Sequence, residues 1–137
     1  MTTRKEFMTQ LVQECGLVMD EDIWKMKRGG KTIALITRAG IEKIQWRHDI
    51  SVTYTPIVVG QEFCVMKAVA TMGELQIETF ASAWHGDGGN CQSNYVPEMA
   101  EKRSKGRAVL QVVGAYKFNV FSEDESDDFK RESKDER

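Results

Sequence analysis

Cysteine, proline and histidine are scarce in this chain, which has three, two and two of them. Cys15, Cys64 and Cys91 are odd in number and widely spaced, with no Cys-x-x-Cys pair. That argues against a disulfide framework and fits a reducing compartment. With only His48 and His85 to add, nothing has the spacing of a zinc site, which needs about four ligands. No run of about 18 apolar residues occurs, so no membrane-spanning helix is expected. The opening residues carry Arg4, Lys5 and Glu6 where a signal segment would turn apolar, so none is expected. Nothing repeats at the roughly 20–50-residue period of solenoids.

What is present fits one domain. The 137 residues are 41% hydrophobic and 29% charged, enough for a real core. The formal net charge of −2 hides an asymmetry. Residues 122–137 hold eight acids and four bases, which leaves residues 1–121 at +2. Those last residues contain one aromatic, Phe129, and no aliphatic side chain. Burial cannot offset their ordering entropy, so residues 122–137 are expected to be an acidic disordered tail behind a 1–121 domain. Such a tail either mimics nucleic acid and shields a basic site, serves as a handle for partners, or simply solubilises the chain.

The patterning places helices at both ends and strands between them. Thr3 and Glu6 have capping-box spacing, and Phe7, Leu11, Cys15 and Val18 follow at helical period. Asp20-Glu21-Asp22 opens a connector that holds Trp24 and the basic cluster Lys25, Lys27 and Arg28, and Gly29-Gly30 makes a turn. Thr32–Ile36 is a short β-rich run, and Thr37 caps a small helix to about Trp46 with Ala39, Ile41 and Ile44 inward. Ile50–Val59 and Glu74–Ala83 alternate cleanly, whereas Gln61–Met72 is apolar on both faces, as in a central strand covered on both sides. Short links at Gly60 and Gly73 make these three an antiparallel meander. His85–Asn94 is a loop. The expected class is therefore α+β: an N-terminal helix, a short β segment and small helix, a three-stranded meander, and a long C-terminal helix packed on the sheet.

That last helix, opened by Pro97 and running to about Tyr116, gathers Met99, Val109, Leu110, Val112, Val113 and Tyr116 on one face. Its bases are Lys102, Arg103, Lys105 and Arg107. Glu98 and Glu101 stand four residues before Lys102 and Lys105, the favourable order for helix ion pairs. Arg103 and Arg107 share a flank one turn apart, with Met99 and Arg103 at the positions four before them. The flank is either solvated or a phosphate-binding stripe. Gly106 and Gly114 interrupt the helix, and Gly106 costs roughly 1 kcal/mol against alanine. Its use would be a close approach of sheet or subunit.

Catalytic patterns are thin. Gly29-Gly30-Lys31-Thr32 resembles the end of a phosphate-binding loop, but position 25 is Lys25 where the first glycine belongs, and a strand-like run follows instead of a helix. His85, Asp87 and Cys91 sit in a glycine-rich loop that reads better as flexible than as a metal or nucleophile site. No catalytic residue, metal or cofactor is expected.

Read together, Asn94-Tyr95-Val96-Pro97-Glu98-Met99-Ala100-Glu101-Lys102-Arg103-Ser104-Lys105-Gly106-Arg107-Ala108-Val109-Leu110 resembles a signature of phage recombination proteins, Tyr-Pro-x-x-Met-Ala-Glu-Lys-Arg-Ala-x-x-Arg-x-x-Leu. The acidic stretch Phe121-Ser122-Glu123-Asp124-Glu125-Ser126-Asp127-Asp128-Phe129 follows as it does there. Upstream, Gly30-Lys31-Thr32 leading to Thr37-Arg38-Ala39-Gly40-Ile41 is similar to that family's short strand and small helix. The family is that of the phage single-strand annealing proteins of the Rad52-like superfamily, the Erf and Sak groups. The resemblance runs from about Phe7 to Phe129.

The resemblance implies a Rad52-like fold that binds single-stranded DNA and pairs complementary strands without ATP in homologous recombination. It implies a homo-oligomeric ring or helical filament with a basic groove, in the cytoplasm of a bacterial host. Arg107 matches a basic position of the family's helix. Arg103, Lys102 and Lys105 flank it, and Lys31, Arg38 and Arg47 are candidates from the hairpin and small-helix side. Tyr54, Trp46 and Trp84 are candidates for stacking on bases or for packing in the core or between subunits. The tail is a candidate handle for host single-strand binding protein, and annealing is expected to survive loss of residues 122–137. Annealing needs phosphate contacts and free base edges, so lysines and arginines suffice, multiplied over subunits. The alternatives are a DNA-stimulated ATPase or small nuclease, or a scaffold that recruits host replication or recombination factors.

Overall fold

A computed structural model of the chain describes residues 2–86, 89–91 and 95–125. Over those residues the fold is α+β, with three α-helices and two three-stranded sheets. Helix α1 (Arg4–Cys15) begins as its capping box predicts. Thr3 Oγ1 accepts from the Glu6 amide at 3.2 Å, and Glu6 Oε2 accepts from the Thr3 amide at 3.4 Å. Gly16, at φ 66°, ends it in the left-handed region. Leu11 and Cys15 face the core, and Phe7 stacks on Phe118 with ring centroids 4.5 Å apart.

The expected connector after α1 is for most of its length a strand, β1 (Ile23–Arg28). It pairs antiparallel with β2 (Lys31–Ile36) through the two-residue turn Gly29-Gly30, both at positive φ. The cluster of bases conceals an alternation: Trp24 and Met26 cover Ile33 and Leu35 on one face, while Ile23 joins the main core from the other. Asp22 fixes the approach to β1. It is 2% exposed, accepts from the Val18 amide at 2.8 Å and the Lys43 ammonium at 2.6 Å, and its carbonyl accepts from the Thr37 amide. Thr37 caps α2 (Arg38–Arg47) as expected, its Oγ1 accepting from the Gly40 amide.

Strands β3 (Ser51–Val59), β4 (Phe63–Met72) and β5 (Leu75–Trp84) form the expected meander. Cys64, Met66, Ala68 and Ala70 of β4 are buried. The expectation that β4 is covered on both sides fails, however: among the described residues, its opposite face is only half-covered. Phe63 is 45% exposed, and Phe80 of β5, opposite Lys67 on the same face, is 51% exposed.

Helix α3 (Val96–Val112) lies on β4 and β5. Its small residues Ala100, Ser104 and Ala108 are fully buried, as are the sheet alanines Ala68, Ala70 and Ala83. Small side chains on helix and sheet allow the close approach. The helix stops at Val112, short of the expected Tyr116, because Gly114 turns the chain at φ 79°. Tyr116–Phe118 is then a 3-10 turn.

The chain closes with β6 (Val120–Ser122), parallel to β2, and a 3-10 turn at Glu123–Glu125. The first residues of the expected tail thus belong to the domain. Gly106 explains how. A Cβ there would stand 2.6 Å from Ser122 Oγ and 2.9 Å from Ser122 Cβ, so its glycine admits β6 against α3. Ser126–Arg137, including Phe129, lies outside the described residues, as do Asp87 and Asn94 of the expected loop.

Candidate nucleic-acid interface

Arg103 and Arg107, expected on an open flank of α3, turn inward onto the Glu123–Glu125 turn. Arg103 is 5% exposed and its guanidinium donates to the Asp124 carbonyl. Arg107 meets Glu125 Oε1 at 2.9 Å, and the Tyr116 hydroxyl donates to the same oxygen at 2.9 Å. Glu125 is itself 4% exposed. Burial pushes its carboxyl above the usual carboxylate range, and Arg107 and Tyr116 draw it only part of the way back. Burial and the Glu125 charge hold the Tyr116 phenol well above its ordinary range. These arginines therefore fasten the acidic turn, and Arg103 is not presented to solvent. The reason is β6, which carries acids against a flank that the helix pattern alone leaves open.

Arg38 reaches the same turn from the other side. Its Nε and a terminal guanidinium nitrogen donate to Asp124 Oδ1 at 3.2 and 3.0 Å, and its amide donates to Glu123 Oε1 at 3.3 Å. The Arg38 side chain remains 45% exposed. Among the described residues neither expected pair, Glu98 with Lys102 or Glu101 with Lys105, forms. Lys105 crosses to Glu42 of α2 at 3.7 Å, and Lys102 is exposed with no ion-pair partner among the described residues.

Between α2 and α3 opens a cleft of about 200 Å³. Arg38, Ile41 and Glu42 form one wall, Glu101, Lys102, Lys105 and Gly106 the other, with Tyr54 of β3 and Asp124 completing the lining. Burial, with Glu101 adding to it, pushes the Tyr54 phenol up to about 12. Lys105 and Glu42 also border a shallower depression that holds Trp46, which is 89% exposed. A tryptophan so open is unusual in a folded domain.

Of the candidate bases, the structure thus gathers Arg38, Lys102 and Lys105 at one cleft, while Arg103 and Arg107 hold the Glu123–Glu125 turn. Lys31 stands apart, at the β1–β2 turn. Arg47 sits at the other end of α2, about 13 Å along the axis from Arg38, where its Nε donates to the Glu14 carbonyl at 3.0 Å. Of the aromatics, Tyr54 lines the cleft, Trp46 stands beside it, and Trp84 is half-buried at the end of β5. Sequence reasoning missed Glu42, Glu101 and Asp124. The only trace of Glu42 is its place one turn after Arg38.

The other motifs fall as follows. Gly29-Gly30-Lys31-Thr32 is a hairpin turn, so no helix N-terminus follows Lys31. Cys91 is buried, and Asn90 bridges the Trp84 amide and the Ser82 carbonyl across the loop. Burial pushes the Cys15 and Cys64 thiols up, away from the thiolate that a nucleophile needs. No helix among the described residues is long and apolar enough to cross a membrane. Comparison of the chain with protein-family models, with curated proteins and with solved structures finds no match.

Proposed function

We propose that the chain is a Rad52-like single-strand annealing protein, which binds single-stranded DNA along the α2–α3 face and pairs complementary strands without ATP. The observation that carries this reading is the convergence at the cleft. Arg38, from the small-helix motif, and Lys102 and Lys105, from the long signature, are more than sixty residues apart, yet line one cleft. Cations interleaved with an open Trp46 and with Tyr54 are what a single strand meets on a protein surface: phosphate contacts for affinity and aromatic faces for bases. Arg103 and Arg107 act one step back, holding the acidic turn that sets the end of the cleft.

Assembly into a ring or filament is part of the proposal. A few cations per subunit bind usefully when subunits line up along one strand. The half-open face at Phe63 and Phe80 supports self-association, because apolar area left in water marks a contact surface.

Affinity for a fluorescent single-stranded 30-mer, measured across a salt series, tests the reading. The expected log–log salt slope is negative. In Lys102→Ala it should shallow by about 0.7 per subunit, the loss of one phosphate contact. No binding, or an unchanged slope in that variant, would remove the α2–α3 face from the mechanism.

A further inference from the structure

Building on the proposed DNA-binding reading, we infer that the α2–α3 cleft takes one unstacked base of the bound strand, laid against Tyr54. The charge balance of the cleft points away from a phosphate. Three cations, Arg38, Lys102 and Lys105, face three carboxylates, Glu42, Glu101 and Asp124. An anionic phosphodiester gains little there, whereas a neutral planar group that both donates and accepts hydrogen bonds is well served. Nucleobases are such groups, and proteins read splayed-out bases by stacking and by their edges.

Size and surface agree. About 200 Å³ is below the roughly 300–1,000 Å³ of sites that take whole drug-sized ligands, so the cleft has room for a ring system and not for a nucleoside triphosphate. Tyr54 and Ile41 supply apolar surface. Tyr54 is half-buried, and its hydroxyl makes no hydrogen bond among the described residues, so it is open to a ligand. Its raised phenol stays protonated at neutral pH and so remains a donor. The exposed ends of Arg38 and Lys102 then meet the flanking phosphates.

Each subunit would hold one base and leave its neighbours free to pair. The held base must quit the cleft before it can pair, so the duplex product is bound more weakly than the strand.

The test compares an oligothymidylate with an abasic phosphodiester of the same length, by anisotropy at one salt concentration. The wild type should prefer the thymidylate by about tenfold, within the ~1–3 kcal/mol of a base–aromatic stack. Tyr54→Leu should bring the two strands within about twofold while the abasic affinity stays unchanged. Tyr54→Phe, which keeps the ring, should retain most of the preference and covers the case in which Tyr54→Leu fails to fold. Equal binding of both strands by the wild type overturns the base pocket and leaves DNA binding intact. Loss of the preference in Trp46→Leu but not in Tyr54→Leu moves the stacked base out of the cleft and also overturns it. Binding of neither strand defeats both this inference and the reading beneath it, as does binding of thymidine monophosphate alone.

Discussion

Gly106→Ala sets two effects of opposite sign against each other. Helix propensity alone favours alanine in the middle of α3 by about 1 kcal/mol. The docked β6 opposes it. The new Cβ would lie 2.6 Å from Ser122 Oγ and 2.9 Å from Ser122 Cβ. Rotation of the hydroxyl relieves the first contact but not the second, and Ser122 is 1% exposed, with no room to retreat. Overpacking of this kind costs about 1–3 kcal/mol. The expected net is a loss of about 1 kcal/mol, a fall in Tm of about 3–5 °C for a chain of this size. In a Ser122→Gly background the clash is gone, and the same substitution should stabilise by about 1 kcal/mol. The coupling in the double-mutant cycle is then about 2 kcal/mol. Thermal unfolding followed by circular dichroism measures all four proteins. Stabilisation by Gly106→Ala in both backgrounds would refute the placement of β6 against α3.

Asp22→Asn should lower stability by about 1–2 kcal/mol at neutral pH, because the buried carboxylate bonds Val18 and Lys43. Burial alone would raise the Asp22 pKa, but those partners hold it below the ordinary 3.8. The folded state therefore releases this proton more readily than the unfolded one. The stabilisation is present above about pH 4 and fades as pH falls through the folded value, so Tm curves of variant and wild type should converge in acid. Glu125 has the opposite sign: its raised pKa makes its carboxylate costlier to fold as pH rises. Even so, Glu125→Ala should cost about 2 kcal/mol by chemical denaturation. That is below the ~3–5 kcal/mol of a broken buried pair, because Arg107 is 35% exposed. Truncation separates tail from domain. Removal of 126–137 should leave Tm within about 2 °C and annealing intact, whereas removal of 122–137 should lower Tm by about 10 °C or more, since it strips β6's last residue and the acidic turn. Phe63→Ser/Phe80→Ser should reduce the oligomer mass in light scattering while retaining the wild-type circular dichroism spectrum.

Local signals were legible wherever one residue decides a boundary. Thr3 with Glu6, Thr37, Pro97 and the links at Gly60 and Gly73 each mark an element that the structure contains. Two strands escaped. In β1 the lysines alternate with Trp24 and Met26, so composition masks the period of two. β6 is three residues long, too short for any period, and it enters a run of acids that reads as tail. Those acids are ordered by Arg38, Arg103 and Arg107, which come from two helices. Nothing local to Glu123–Glu125 announces such partners, and nothing local to α3 announces the acids. The cleft was legible in half: its cations follow from the two motifs and Tyr54 is among the stacking candidates, while Glu42 and Glu101 join them only through the packing of α2, α3 and β3.

The most direct measurement is the annealing of two complementary labelled oligonucleotides in EDTA without nucleotide, with particle mass followed in the same sample. A single-strand annealing protein gives strong acceleration by a large oligomer, lost in Lys102→Ala/Lys105→Ala at unchanged fold. A folded monomer that leaves the annealing rate at that of free DNA would contradict it.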